Sequence, residues 1–155
     1  MKKLNQLLAD ITAIKVVGNA EVEITSVTND SREAKPGALF IAVKGVAVDA
    51  HKFIPQVVAA GAAAVVCEDL PENLNDTVTY IQVTESTIAL AHLASAWYDH
   101  PSTKLRLVGV TGTNGKTTTA TLLYELTQSL GHKAGLLSTV KNMVDRTEYP
   151  AKQTT

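Results

Sequence analysis

Apolar residues in the first hundred positions occur in short runs separated by amphipathic stretches. Short runs rich in Val and Ile are typical of strands, and apolar residues three or four positions apart are typical of helices. The pattern predicts strands at Ile14–Val17, Ile24–Thr28, Ala38–Val43, Ala63–Cys67 and Val78–Val83. It predicts helices at Leu4–Ala9, from Asp49 or Ala50 to Ala60 before a capping Gly61, and at Ile88–Tyr98 after a capping Ser86 or Thr87. Strands that alternate with helices indicate an α/β unit with a largely parallel sheet.

The organisation of the chain changes at His100–Lys104. Beyond this break the pattern predicts a strand at Leu105–Val110, a glycine loop, a helix at Thr117–Leu130 and a strand at Ala134–Thr139, followed by a hairpin or an extended segment. Two parallel strands and one helix cannot cover both faces of a sheet. We therefore expect a complete domain at 1–100 and, at 101–155, the beginning of a longer parallel-sheet domain that this chain does not finish.

Charge and composition exclude several classes of protein. The 14 basic and 15 acidic side chains give a net charge of −1, so no bulk positive potential would attract nucleic acid and no nucleic-acid partner is expected. The lone Cys67 lies in the apolar run AAAVVC, which predicts a small core residue and a reducing, cytoplasmic compartment. Since no run reaches the roughly 20 apolar residues of a membrane span, we expect no membrane insertion.

The segment GTNGKTT, which connects the predicted strand to the predicted helix, carries the clearest chemical signal. Glycines let backbone N–H groups converge on a polyphosphate, and the helix N-terminus adds unpaired donors and partial positive charge. Lys116 would supply a full charge to the outer phosphates, and the Thr117 hydroxyl is placed to bind Mg²⁺. The predicted nucleotide-binding residues are Gly112, Thr113, Asn114, Gly115, Lys116, Thr117 and Thr118.

The loop departs from the common spacing G-x-x-x-x-G-K-[ST], because Val110 stands where the first glycine is expected. An ordinary strand-to-helix loop with a surface lysine is the alternative interpretation. The string VGVTGTNGKTT resembles the ATP loop of the Mur ligases, ATP-dependent amide-forming enzymes that build the peptide of bacterial peptidoglycan. Folylpolyglutamate synthetases share this loop, so a second signature is needed to separate the two groups.

The second signature is DSREAKPGALFIAVKG, followed by Asp49, His51, Phe53 and Ile54 and by GAAAVV. Loops at strand ends are where open α/β sheets bind small ligands, although Ser31 could equally cap a turn and Arg32 form a surface ion pair. The pattern resembles the UDP-binding N-terminal domain of Mur ligases that add the third or the terminal residues of the peptide. By that resemblance Asn29 and Ser31 contact the uridine diphosphate, and Val46, Ala47 and Val48 pack on uracil.

The residues after the phosphate loop resemble the members that add the third amino acid, where a strand, a hairpin and a Thr-Thr pair follow one another. The resemblance implies that Gln153, Thr154 and Thr155 contact the substrate, whereas for the chain taken alone a disordered end is an equal alternative. A branch that adds the terminal dipeptide typically carries an asparagine-rich segment here, and none is visible.

The resemblance implies an ATP- and Mg²⁺-dependent ligase that joins meso-diaminopimelate or L-lysine to UDP-N-acetylmuramoyl-L-alanyl-D-glutamate through an acyl phosphate, with Lys116 as the catalytic residue of this chain. A monomer is expected, and this chain by itself is expected to bind ligands without ligating. The alternatives are the dipeptide-adding branch, a stand-alone nucleotide-binding module or small NTPase, and a small-molecule kinase. The choice of diamino acid stays open.

Overall fold

The computed structural model describes residues 1–45 and 48–151. The chain divides into two compact units, Met1–Leu105 and Arg106–Thr155, which are treated separately below. Within the described residues, no helix combines the length and the apolar character needed to cross a lipid bilayer.

The first unit contains the predicted helices and strands in the predicted order, and it begins with a short strand that was not predicted. Its elements are β1 (Lys2–Lys3), α1 (Leu4–Leu8), β2 (Ala13–Val17), β3 (Glu23–Ile24), β4 (Ser26–Thr28), β5 (Ala38–Ile41), a 3₁₀ helix (Ala50–Phe53), α2 (Ile54–Ala59), β6 (Ala64–Cys67), β7 (Thr79–Val83), α3 (Ser86–Trp97) and a second 3₁₀ helix (Pro101–Lys104).

A five-stranded sheet in the order β2-β7-β6-β5-β4 organises this unit. Strands β4, β5, β6 and β7 are parallel, and only the edge strand β2 runs antiparallel to its neighbour β7. The predicted α/β class and the largely parallel sheet are therefore confirmed. The single strand predicted at Ile24–Thr28 is wrong in one respect, because it divides at Thr25, whose N–H donates to the carbonyl of Gly37. Residues before this point pair with β1, and residues after it join the main sheet.

The two faces of the sheet bury separate hydrophobic clusters. Alternate residues of β5 point to opposite faces, so Leu39 and Ile41 pack with α1 and α3, while Phe40 packs with α2. Cys67 lies in the second cluster and is fully buried, as predicted. Burial on both faces explains why the parallel strands are almost uniformly apolar.

The predicted cap of α3 is wrong. Ser86 is the first residue of the helix, and neither it nor Thr87 caps the helix through its side chain, because the N-cap residue is Glu85 without a side-chain cap bond. The Ser86 N–H instead donates to the carboxylate of Glu68, at the end of β6. A carboxylate from a neighbouring strand thus satisfies a helix N-terminal donor and complements the positive end of the helix dipole.

The second unit contains α4 (Lys116–Ser129), β8 (Gly135–Leu137), β9 (Lys141–Val144) and β10 (Thr147–Pro150). The three strands form an antiparallel sheet in the order β10-β9-β8, so the predicted hairpin is confirmed. The predicted strand at Leu105–Val110 is wrong, since this segment pairs with no other strand among the described residues and Leu107 and Val108 are largely exposed. An apolar run becomes a strand only when a neighbouring strand accepts and donates its backbone hydrogen bonds.

The β9–β10 turn is attached to the middle of α4. Asp145, at φ 52° in the left-handed region, donates its N–H to the Ala134 carbonyl at 2.9 Å. The Tyr124 hydroxyl donates to the Asp145 carbonyl, and Gln128 Nε2 donates to Asp145 Oδ1 at 3.0 Å. Tyr124 and Gln128 are four residues apart and therefore lie on the same face of α4. This pair of side chains fixes the hairpin to the helix.

Candidate functional site

Two glycines of the loop Gly112–Thr118 adopt backbone conformations that favour glycine. Gly112 has φ 147° and Gly115 has φ 75°, a region that residues with a Cβ rarely adopt. An added Cβ on Gly115 would meet no atom within 4 Å, so backbone conformation rather than space requires the glycine. Gly115 is also the N-cap of α4, and its carbonyl accepts from Thr119 N–H at 2.9 Å. The first-turn N–H groups after Gly115 are therefore the helical donors that lack intrahelical acceptors.

Lys116 lies at the start of α4 and folds back over the loop. Its Nζ donates to the Gly112 carbonyl at 2.6 Å and contacts the Thr113 carbonyl at 3.4 Å. The ammonium group is thus held next to the helix N-terminus, in the place where a charged group would meet an anion bound to the first-turn donors. Thr117 is half-buried directly after it, whereas Thr113, Asn114 and Thr118 are exposed. The structure brings all seven predicted residues into one loop and first helical turn.

The substrate residues predicted in the first unit follow adjacent strands at one sheet edge. Asn29 follows β4 and Val48 belongs to the segment after β5, and these two strands are parallel neighbours. Carboxyl ends of parallel strands meet at the same edge, which is where open α/β sheets bind ligands. Asn29 and Val48 are exposed there and Ser31 is half-exposed, so all three are accessible.

Asp30 organises the turn that carries Ser31. Its N–H donates to Thr28 Oγ1 at 3.0 Å, and its Oδ1 accepts from the Arg32 N–H at 3.0 Å. The Arg32 guanidinium pairs with Asp30 Oδ2 at 2.5 Å, and its side chain is 84% exposed. The surface ion pair considered for Arg32 is therefore present. The side chains of Thr28 and Asp30 thus hold this turn.

Several predicted substrate residues lie outside the described part of the chain. These are Val46, Ala47, Gln153, Thr154 and Thr155. At Gly45, which precedes the first two, an added Cβ would lie 2.9 Å from the Val48 carbonyl oxygen. The Gly45 N–H also donates to that oxygen at 3.1 Å. Glycine is needed at this position because the chain passes so close to itself.

Sequence reasoning did not predict the hydrogen bonds that link Asp49, His51 and Glu68 at the same sheet edge. His51 Nε2 accepts from the Glu68 N–H at 2.8 Å, so Nδ1 carries the proton and donates to Asp49 Oδ1 at 2.6 Å. The hydrogen bond from the His51 backbone N–H holds the pKa of the Asp49 carboxyl below its usual value. The bond from the His51 ring acts in the same direction and is the second-largest cause. The position of Glu68 directly after the buried run AVVC was the available signal, because a carboxylate there must stand at the carboxyl edge of the sheet.

Two models of one protein family match the sequence. The model described as "Mur ligase family, catalytic domain" matches residues 23–98, and the model described as "Mur ligase middle domain" matches residues 110–155. Together they include both the sheet edge and the phosphate loop. The chain therefore belongs to the Mur ligase family.

Curated relatives are similar to this chain over almost its whole length. The UDP-N-acetylmuramoyl-L-alanyl-D-glutamate--2,6-diaminopimelate ligase of Bacteroides fragilis is 49% identical over 153 residues, which is 99% of this chain and 32% of the relative. The ligase of the same name from Cytophaga hutchinsonii is 50% identical over 155 residues, again covering 99% of this chain and 32% of the relative. The chain spans about a third of the length of these relatives.

Solved structures of other family members have a similar fold. A crystal structure of MurF from Acinetobacter baumannii matches with a TM-score of 0.63 and 27% identity, covering 83% of this chain and 28% of that one. MurF from Thermotoga maritima in complex with ADP matches with a TM-score of 0.52 and 32% identity, covering 70% of this chain and 24% of that one. Identity to the diaminopimelate ligases is thus higher than identity to these MurF structures.

Proposed function

We propose that this chain forms the substrate-binding and phosphate-loop part of an ATP-dependent ligase that adds diaminopimelate to UDP-N-acetylmuramoyl-L-alanyl-D-glutamate. The observation that carries the proposal is the 49–50% identity to diaminopimelate ligases, which extends through both units of the chain. Identity to the matched MurF structures is 27–32%, which favours the third-residue branch over the dipeptide-adding branch. A cytoplasmic, monomeric protein and domains at 1–100 and 101–155 belong to the same proposal.

The nucleotide site of this proposal is the loop Gly112–Thr118. The first-turn N–H groups of α4 bind phosphate oxygens, and Lys116 Nζ exchanges its contact with the Gly112 carbonyl for the outer phosphates. The T. maritima relative solved with ADP supports a nucleotide at this site. Thr117 is the proposed Mg²⁺ ligand, because its hydroxyl follows the phosphate-binding lysine, and hydroxyl oxygen suits this hard cation.

The substrate site of this proposal is the carboxyl edge of the five-stranded sheet. Asn29 and Ser31, after β4, contact the diphosphate and ribose side of the UDP group. The segment Val46–Val48 packs on uracil, and Gln153–Thr155 contacts the remainder of the substrate. Support for this part comes from the accessible positions of Asn29, Ser31 and Val48 at one edge.

The chemistry follows from the weakness of a carboxylate as an electrophile. Transfer of the γ-phosphoryl group of ATP to the terminal carboxylate gives an acyl phosphate and ADP. The amine of diaminopimelate then attacks the acyl carbon, the amide bond forms, and inorganic phosphate and a proton leave. In the first step negative charge spreads over the transferring phosphoryl oxygens. Lys116 and the N–H groups at the start of α4 are the groups of this chain that stabilise it.

Binding and ligation tests separate this proposal from its alternatives. Calorimetry of the chain with UDP and with ATP is expected to detect both ligands, and Ser31→Ala is expected to weaken UDP alone. Phosphate release is then measured on the longest reading frame that contains this chain, with UDP-N-acetylmuramoyl-L-alanyl-D-glutamate and either diaminopimelate, L-lysine or no amine. A requirement for diaminopimelate supports the proposal. Preference for L-lysine, or activity only with a UDP-tripeptide and D-alanyl-D-alanine, contradicts it, and ATP turnover by the 155-residue chain alone indicates a small NTPase.

A further inference from the structure

The segment after β5 closes on itself at its base. Lys44 and Asp49 form an isolated antiparallel bridge, and the Ala50 N–H donates to the Val43 carbonyl at 3.0 Å. One position further in, the Gly45 N–H donates to the Val48 carbonyl at 3.1 Å. Lys44 and Asp49 are therefore the two flanking residues of this segment. Contacts that fix both flanking residues also fix Gly45 and Val48, because these are their direct neighbours in the chain.

The first flanking residue, Lys44, is held through the buried Ser86. The Lys44 N–H donates to Ser86 Oγ at 3.1 Å, and Ser86 Oγ donates to Glu68 Oε1 at 2.7 Å. The Ser86 N–H donates to the same carboxylate oxygen at 2.9 Å. Ser86 is completely buried, so water cannot replace these partners. The Ser86 N–H and then its hydroxyl hold the pKa of the Glu68 carboxyl below its usual value, which keeps it an acceptor at neutral pH.

The second flanking residue, Asp49, is held through His51, which is hydrogen-bonded to the same Glu68. Asp49 Oδ1 accepts from the His51 backbone N–H at 2.9 Å and from ring Nδ1 at 2.6 Å. Ring Nε2 accepts from the Glu68 backbone N–H at 2.8 Å, and the side chain of His51 is only 14% exposed. The Glu68 carbonyl is also occupied, because it accepts from Gln82 Nε2 on β7 at 3.0 Å.

We propose that Glu68 is a positioning residue for substrate binding, which acts through Ser86 on Lys44 and through His51 on Asp49 to hold Gly45 and Val48 where Val48 can contact the uridine group. The ligand class is a pyrimidine nucleoside diphosphate, and this part of the inference rests on the proposed function. Neither Glu68 nor Ser86 needs to touch the ligand. Their effect is preorganisation: when Lys44 and Asp49 are already held in place, their backbone loses no further conformational freedom as the ligand binds.

The structure offers matched variants for the test. Ser86→Ala removes the acceptor of the Lys44 N–H, and Glu68→Gln removes the charge that holds Ser86. Glu85→Gln is the control, because Glu85 is exposed, adjacent to Ser86 and forms no side-chain cap on α3. Calorimetry of the 155-residue chain with UDP and, separately, with ATP measures the effect on each unit. Amide hydrogen exchange at Lys44, Gly45 and Ala50 measures the segment itself without any ligand.

We expect Ser86→Ala and Glu68→Gln to weaken UDP binding by about tenfold and to leave ATP binding within about twofold. Exchange at Lys44, Gly45 and Ala50 should accelerate in both variants, whereas core amides of β5 and β6 keep their protection. Glu85→Gln should behave as the unsubstituted chain. If core amides of β5 or β6 lose protection in one variant, the role of Glu68 is judged from the other variant. The quantity compared is the ratio of its UDP affinity to its ATP affinity.

Unchanged exchange at the three amides in both variants would overturn the positioning role. Accelerated exchange with unchanged UDP affinity would also overturn it, because the segment would then not serve the ligand. A chain that binds no UDP even without substitution contradicts the proposed function and, with it, the ligand class. In that case the exchange data alone decide whether Glu68 holds the segment.

Discussion

Replacing Lys116 by methionine tests the phosphate loop most directly. The substitution keeps the length of the side chain and removes its charge, and Lys116 is exposed and, among the described residues, bonds to carbonyls of its own loop. We therefore expect the free energy of unfolding to change by less than about 0.5 kcal/mol, as for other surface substitutions. Any larger effect on ATP binding then comes from the site and not from the fold.

The contact with Gly112 sets the size of the expected effect. A charge-assisted hydrogen bond from lysine to phosphate contributes roughly 1.5–3 kcal/mol. Binding must first break the 2.6 Å bond from Nζ to the Gly112 carbonyl, which offsets about 0.5 kcal/mol because this bond is exposed to water. The net loss in Lys116→Met is then about 1–2.5 kcal/mol, which corresponds to a rise of about 5- to 70-fold in the Kd for ATP.

Calorimetry with ATP and Mg²⁺ at fixed ionic strength measures this change. Lys133→Met is the matched control, because Lys133 is exposed in the same unit and lies outside the loop. UDP affinity provides a second control in the other unit. An ATP Kd within twofold of the original, or an equal loss in Lys133→Met, would refute the role assigned to Lys116.

Three further predictions concern the first unit. Gly37→Ala should lower the free energy of unfolding by about 2–4 kcal/mol, because φ is 81° and the new Cβ would lie 2.7 Å from Thr25 Cγ2; urea titration should show a smaller loss in a Thr25→Ser background, and an equal loss would contradict the steric part. Burial raises the pKa of Cys67 to about 11, so a thiol reagent at about pH 8 should label it only once urea unfolds the chain; labelling before the transition would count against this. Since the pKa of Glu68 is lowered in the fold by Ser86, its contribution to stability is present above the usual glutamate pKa and is lost as pH falls below about 4; Glu68→Gln should flatten that part of a melting-temperature profile, and an identical profile would contradict it.

The sequence was sufficient for the first unit's sheet because its signals are local. Runs such as ALFI and AVVC are apolar on both faces, and helices between them require parallel neighbours. The strand predicted at Leu105–Val110 failed because a strand also needs a partner, which hydrophobic periodicity does not contain. The cap predicted at Ser86 or Thr87 failed for a related reason, since the carboxylate of Glu68 comes from a strand 18 residues earlier in the chain.

The candidate sites divide in the same way. The start of α4 after the glycine loop could be predicted because glycines, lysine and helix are consecutive in one short string, and phosphate binding by this loop stays a prediction. Asn29 and Ser31 were reached through a family resemblance, and their contact with a ligand stays a prediction. The role of Glu68 could not be inferred from the sequence, because the contact between Lys44 and Ser86 spans 42 residues and depends on the order of the strands.

Because the β9–β10 turn is bonded to α4, a tilt of this helix would also move the turn. Tyr124 lies eight residues after Lys116, a distance of about 12 Å along a helix that rises 1.5 Å per residue. A tilt of about 10° around the phosphate loop would therefore move Tyr124, and the Asp145 turn bonded to it, by about 2 Å. Because two side chains of α4 bond to this turn, a movement of the helix would be passed on to the β9–β10 hairpin.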